Sequence, residues 1–261
     1  MRRARSILSF TLVAVLAVCS LLALSLHAQH MQDFTTPTPL PPGSTLVIGF
    51  LGGVEHWDVQ LHRVRRMALD LRSRNLPGVY VETVENHHRD LAIALIRNAL
   101  DQNRDGRLDE SERHSVRIIL YGHSMGGGAV VKAARELEKI GVPVALTVQV
   151  DSVGFTDAVV PPNVARAANL YQDEGFFLHG RPEIRAADPQ RTQILGNFRY
   201  AYRGQNVAMS DLPLYHKIFP SVHMKMERDP AVWDRVESFI LEELHREGIP
   251  VPLAGPAASG E

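Results

Sequence analysis

VRIILYGHSMGGGAVVKAARELEKIG, residues 116–141, reads as a buried strand, a sharp turn and a helix. Val116, Ile118, Ile119, Leu120 and Tyr121 make a short apolar, partly β-branched run, as a strand covered on both faces requires. Gly122-His123-Ser124-Met125-Gly126 breaks that run. A helical period follows in Val130, Ala133, Ala134, Leu137 and Ile140, until Gly141 stops it.

The turn has the form G-x-S-x-G. A bare match arises by chance in roughly one chain of this size in ten, so its flanks decide its meaning. Between a strand and a helix it is a nucleophile elbow. The serine is held in a strained conformation that lifts its Oγ from the turn, and glycines at Gly122 and Gly126 let strand and helix approach closely. The N–H of Met125, at the helix N-terminus, then aims where an oxyanion would form.

GHSMGG after RIILY resembles the α/β-hydrolase superfamily in its lipase, esterase and thioesterase branches. The resemblance implies an α/β fold, with a mostly parallel sheet and helices on both faces, and the sequence has no long insertion of the kind that forms a large cap domain. It also implies Ser124 as nucleophile, a later acid and histidine, and an earlier loop that completes the oxyanion hole.

Thr45 to Phe50 is an apolar strand followed by Leu51-Gly52-Gly53, which fits that earlier loop without its usual histidine. The second oxyanion donor is expected at Phe50 or Leu51. Glu55, His56, Trp57 and Asp58 come next, either lining the mouth of a site or, for Asp58, capping a helix from Trp57 to Arg74. Val79 to Val84 is the next strand, and His87-His88 reads as a polar turn, since adjacent residues do not share a helix face.

For the acid, Asp151 ends the strand Val142 to Val150 in an Asp-Ser-Val context, Asp173 follows the run Val164 to Tyr171, and Asp157 is a third choice. Ile194 to Tyr202 reads as a last strand. Phe176, Phe177 and His179 lie in a loop-rich segment that suits a small lid or an acyl pocket. The histidine comes last in this order of residues. His223 is expected in a loop before the final helix, with His216 the alternative. Asp229-Pro230 opens that helix, Asp as cap and Pro in the first turn.

A second motif precedes the elbow strand. Asp101-Gln-Asn103-Arg-Asp105-Gly106-Arg107-Leu108-Asp109-Glu-Ser-Glu112 matches an EF-hand calcium loop, which chance supplies in about one chain in a thousand. Asp101, Asn103, Asp105, Asp109 and Glu112 offer side-chain oxygens and Arg107 its carbonyl. The exiting helix is short, and there is no second hand to pair with. A structural calcium ion is expected, pinning the base of the elbow strand; the competing reading is a polar turn that holds no ion.

Length and composition bound the rest. The chain has 261 residues, 45% hydrophobic, which suits one folded domain rather than a disordered chain. A net charge of −1 gives no reason to expect nucleic acid as a partner. Cys19 is the single cysteine, which excludes an intramolecular disulfide. Residues 1–28 read as a signal for export, periplasmic or secreted, with three arginines before an apolar run from Ile7 to Leu26; left uncleaved, that run is an N-terminal membrane anchor. Residues 29–43 read as a Pro/Thr-rich linker, 44–248 as the catalytic domain and 249–261 as a disordered tail.

The expected activity is hydrolysis of small-molecule or lipid carboxylic esters, or thioesters, by a Ser-His-Asp triad, with no organic cofactor and no stable protein partner. The alternatives are a catalytically silent calcium-binding or interaction protein on the same scaffold, or an amidase or perhydrolase.

Overall fold

The computed structural model describes residues 28–174, 178–207, 221–246 and 248–250. The calls on residues 1–27, on Cys19, Phe176, Phe177 and His216, and on the tail beyond residue 250 lie outside them.

Six strands build one sheet: β1 (Thr45–Phe50), β2 (Val79–Val84), β3 (Arg117–His123), β4 (Val144–Val150), β6 (Val164–Tyr171) and β8 (Gln193–Arg199). Their order is β2-β1-β3-β4-β6-β8, and every pair is parallel. β5 (Val159–Val160) and β7 (Arg185–Ala186) pair in a separate two-stranded ribbon. The helices are α1 (Arg63–Ser73), α2 (Arg89–Leu100), α3 (Glu110–Arg113), α4 (Met125–Lys139), α5 (Ser221–Arg228) and α6 (Pro230–Arg246).

Parallel neighbours need a crossover, and helical crossovers cover both faces of the sheet. One core joins Ile48, Ile118 and Leu120 of the sheet to Leu95 and Ile96 of α2 and to Val130 and Leu137 of α4. The other joins Val47, Ile119 and Val148 to Val64 and Met67 of α1 and to Val236 and Ile240 of α6. All six residues of β1 are buried, which is why the central strands are apolar runs rather than alternating ones. This is the α/β-hydrolase fold.

The strand order reverses direction between β1 and β3. At such a switch point the loops leaving the C-terminal strand ends diverge and open a crevice. The segments after Phe50 and after His123 both lie there.

Several boundaries differ from those read in the sequence. α1 begins at Arg63, not Trp57, because the Trp57 N–H donates to Glu85 at 3.3 Å instead of entering a helix; Asp58 caps nothing there, and the N-cap residue is His62. β8 ends at Arg199, and Tyr202 instead turns inward, its hydroxyl donating to Asp229 at 2.8 Å. Asp229 does cap α6, accepting from the Ala231 N–H at 2.9 Å. His223 lies within helix α5, not in a loop before the final helix.

Residues 29–43 form a strap packed on the domain, not a free linker. Gln29 is buried and donates to the Thr83 carbonyl at 2.8 Å. Thr35 and Thr36 give Glu82 Oε1 four hydrogen bonds, from two amides and two hydroxyls. Leu40 is fully buried and joins the core under α2. Apart from one 3-10 turn at Met31–Asp33 the strap has no regular structure, but side-chain donors and one apolar anchor suffice to hold it down.

Candidate active site

Ser124 follows the last residue of β3 and caps α4, with φ 57° and ψ −123°. The left-handed region is unfavourable for a residue with a Cβ, so the surrounding structure must enforce it. The Ser124 N–H donates to the Val150 carbonyl at 2.9 Å, and its own carbonyl accepts from Gly127 at 3.0 Å and Val153 at 3.1 Å. Gly126 is equally constrained: a Cβ there would lie 2.0 Å from the Phe50 carbonyl oxygen.

The structure brings Ser124, His223 and Asp151 together. His223 Nε2 lies 3.0 Å from Ser124 Oγ, and His223 Nδ1 lies 2.6 Å from Asp151 Oδ2. They come from the ends of β3 and β4 and from α5, 99 and 72 residues apart in those two contacts. Asp151 is fully buried, with φ 42°. Its carboxylate also accepts from Gln172 Nε2 at 2.9 Å, from the Gln172 amide at 3.3 Å and from the Gly180 amide. Donors on several sides fix the orientation of a buried carboxylate.

The other acids are spent elsewhere. Asp173 is on the surface, paired with Arg199 at 2.8 Å, and that guanidinium holds its carboxyl below the usual range. Asp157 accepts from Ser152 and Arg181. His179 Nδ1 meets the Gly180 carbonyl at 3.1 Å.

Of the two residues expected to give the second oxyanion donor, Leu51 donates its N–H to the Val84 carbonyl at 2.9 Å and Phe50 is paired within the sheet on both sides. Gly52 is pressed against Ser124, since a Cβ there would lie 3.3 Å from Ser124 Cβ. Its N–H donates to Glu55 Oε2 at 3.0 Å. Met125 sits where expected, at the N-terminus of α4 beside Ser124.

Glu55 does not line an open mouth. It turns inward to His62, whose Nδ1 lies 3.3 Å from Glu55 and 3.8 Å from Glu227. Burial would lower the pKa of His62, but the two carboxylates outweigh it and hold it at about 9. Burial raises that of Glu55. Burial also raises Glu227, but His62, His123 and Arg228 more than reverse that and leave it low. His123, the variable residue of the elbow motif, stacks on His223 with ring centroids 4.8 Å apart. Burial and then the nearby His223 charge lower its pKa to about 4, so it stays neutral.

Sequence reading missed Gly52, Gln172 and this Glu55–His62–Glu227 cluster. Gln172 had a usable signal, because it directly follows β6, the neighbour of the strand that ends at Asp151. The cluster had none, since its members come from a loop, an N-cap and a late helix.

At the opposite edge of the sheet, residues 101–112 fold on their own backbone. Asp101 and Asn103 accept from the Asp105 amide at 3.1 and 2.8 Å, and Asp101 accepts from Gly106 at 2.9 Å. Gly106 has φ 77°, the turn the motif's glycine serves. Asp105 accepts from the Arg107 amide, and Asp109 caps α3. Glu112 is buried and accepts from the amides of Gln102, Asn103 and Asp109, so it reaches back across the loop. Glu112 is thus committed to amides, and among the described residues no three acidic side chains of this loop bring an oxygen each within 4.8 Å of one another.

No family model matches the sequence, and no curated protein does. Among solved structures, the chain is similar to a cutinase-like protein from Cryptococcus sp. at 15% identity, covering 80% of this chain and 98% of that one, with a TM-score of 0.43. It is also similar to RedJ, in a structure with a PEG molecule bound in its active site, at 12% identity, covering 75% and 99%, with a TM-score of 0.34.

Proposed function

We propose that the protein is an exported serine hydrolase that cleaves carboxylic esters or thioesters through an acyl-enzyme. The observation that carries this reading is the continuous chain Ser124 Oγ, His223, Asp151, at 3.0 and 2.6 Å. His223 takes the serine proton as Oγ attacks the acyl carbonyl, then gives it to the leaving oxygen or sulfur. Asp151 holds the Nδ1–H tautomer and stabilises the imidazolium. The Met125 and Gly52 amides receive the oxyanion, Gly52 exchanging Glu55 for the substrate oxygen; burial holds the Glu55 carboxyl toward its neutral form, which weakens its grip. Water activated by His223 then releases the acid.

The chemistry needs no organic cofactor. The loop 101–112 is proposed to hold a structural calcium ion through Asp101, Asn103, Asp105, the Arg107 carbonyl, Asp109 and Glu112, an ion that supplies rigidity and no step of the reaction.

Hydrolysis of p-nitrophenyl esters of increasing acyl length by wild type and Ser124→Ala tests the reading. The expected result is loss of at least about 10⁴-fold in kcat for the variant, with the fold unchanged by circular dichroism. A wild type that neither hydrolyses any ester or thioester nor reacts with a serine-directed phosphonate would leave a silent scaffold.

A further inference from the structure

The turn between β2 and α2 carries Glu85, His87 and His88. The Glu85 side chain is 2% exposed, yet imidazoles face both its oxygens: His87 Nε2 lies 3.2 Å from Oε2 and His56 Nδ1 lies 3.4 Å from Oε1. The Trp57 amide, at 3.3 Å, is its other neighbour. Charge-assisted hydrogen bonds close to about 2.7–2.9 Å. The separations here are longer. They approach the edge of roughly 3.3 Å between ligand atoms on a tetrahedral metal with bonds of about 2.0–2.1 Å.

Three further observations point the same way. One ligand atom from each of Glu85, His87 and His88 lies within 4.8 Å of the other two. His56 Nδ1 is buried and makes no hydrogen bond. His88 is the N-cap of α2 but makes no capping hydrogen bond with its side chain, which leaves the ring to other work. The rings of His87 and His88 stand edge to face at 4.3 Å, an arrangement that disfavours two adjacent imidazolium charges.

We propose that Glu85, His87 and His88 bind a late first-row divalent cation such as Zn²⁺, with His56 steadying the other carboxylate oxygen of Glu85. Imidazoles with one carboxylate suit zinc, copper or nickel, whereas calcium takes oxygen ligands. The His87 and His56 side chains are 54% and 42% exposed, so the ion has an entry path. The site also reaches the oxyanion loop. His56 lies just beyond Gly52, and Asn86, between Glu85 and His87, donates to the Gly53 carbonyl at 2.6 Å. An ion held there clamps the loop bearing Gly52 to the end of β2.

The test is calorimetric titration of the untagged full chain with Zn²⁺ in calcium-saturated buffer, with metal content measured after gel filtration. One zinc per chain is expected. His87→Ala and His88→Ala should each weaken binding by at least the roughly 10-fold that loss of a mere supporting partner costs, and the double variant should abolish stoichiometric retention. Circular dichroism checks the fold of each variant, and both positions lie on the rim. Absence of stoichiometric binding overturns the proposal. So does binding that survives the double variant, or binding lost in His62→Gln instead, which would move the ion to the Glu55–His62–Glu227 cluster.

Discussion

The two carboxylate-rich regions at opposite edges of the sheet are built on different principles. At the C-terminal edge, Asp151 is fully buried and its partners arrive from 21, 29 and 72 residues away. At the N-terminal edge, the hydrogen bonds among residues 101–112 span ten residues or fewer. The first cluster exists only when the whole sheet is assembled. The second needs little more than its own turn. Damage to the first should therefore be felt in chemistry, and damage to the second in stability.

The sharpest way to break that contrast is Asp151→Asn. With the geometry kept and the imidazole tautomer wrong, ester turnover should fall by about 10⁴-fold. Asp173→Asn removes only a surface ion pair and should leave the rate unchanged, as steady-state kinetics on the two variants would report. Equal losses in both would mean that the carboxylate serving His223 is misidentified.

Calcium removal probes the other edge. If the loop binds the ion, chelation should lower Tm by about 5–10 °C relative to calcium held near 100 times its Kd, while kcat below the transition is unchanged. A thermal scan with and without chelator decides. An unchanged Tm would make residues 101–112 a polar turn, and a fall in kcat at low temperature would couple the two edges.

The smallest effect concerns His62. Its folded pKa of about 9 lies above the ordinary 6.5, so its stabilisation is complete below pH 6.5 and is lost as pH rises through about 9. The raised Glu55 carboxyl acts in the same direction. Tm should decline from neutrality to alkaline pH, and His62→Gln should flatten that decline. An unaltered slope would mean that these buried charges balance differently. On the acid side His123 has the opposite sign: neutral in the fold down to about pH 4, it costs stability as pH falls below 6.5.

What the sequence made legible follows the same division. The elbow was readable because strand, glycine spacing and helix are all local, and β1, β2, β3 and β6 were readable as buried apolar runs. Ser124, Asp151 and His223 could be named by their order along the chain. That order did not reveal that His223 sits on a helix, because α5 carries only a short amphipathic run. Gly52 was hard to pick out because an amide has no side-chain signature; which amide of this loop is tied to the sheet depends on the Val84 carbonyl of the neighbouring strand, which takes Leu51 and leaves Gly52 to Glu55. His87-His88 reads as a polar turn in the sequence, and the chain does turn there, between β2 and α2, where both imidazoles approach the buried Glu85.

The strap has an orientational consequence. Gln29 is fastened to Thr83 and Glu85, at the C-terminal end of β2, so this end of the strap lies on the same side of the domain as Ser124. A carrier joined directly at residue 28 would therefore stand beside the crevice rather than beside residues 101–112.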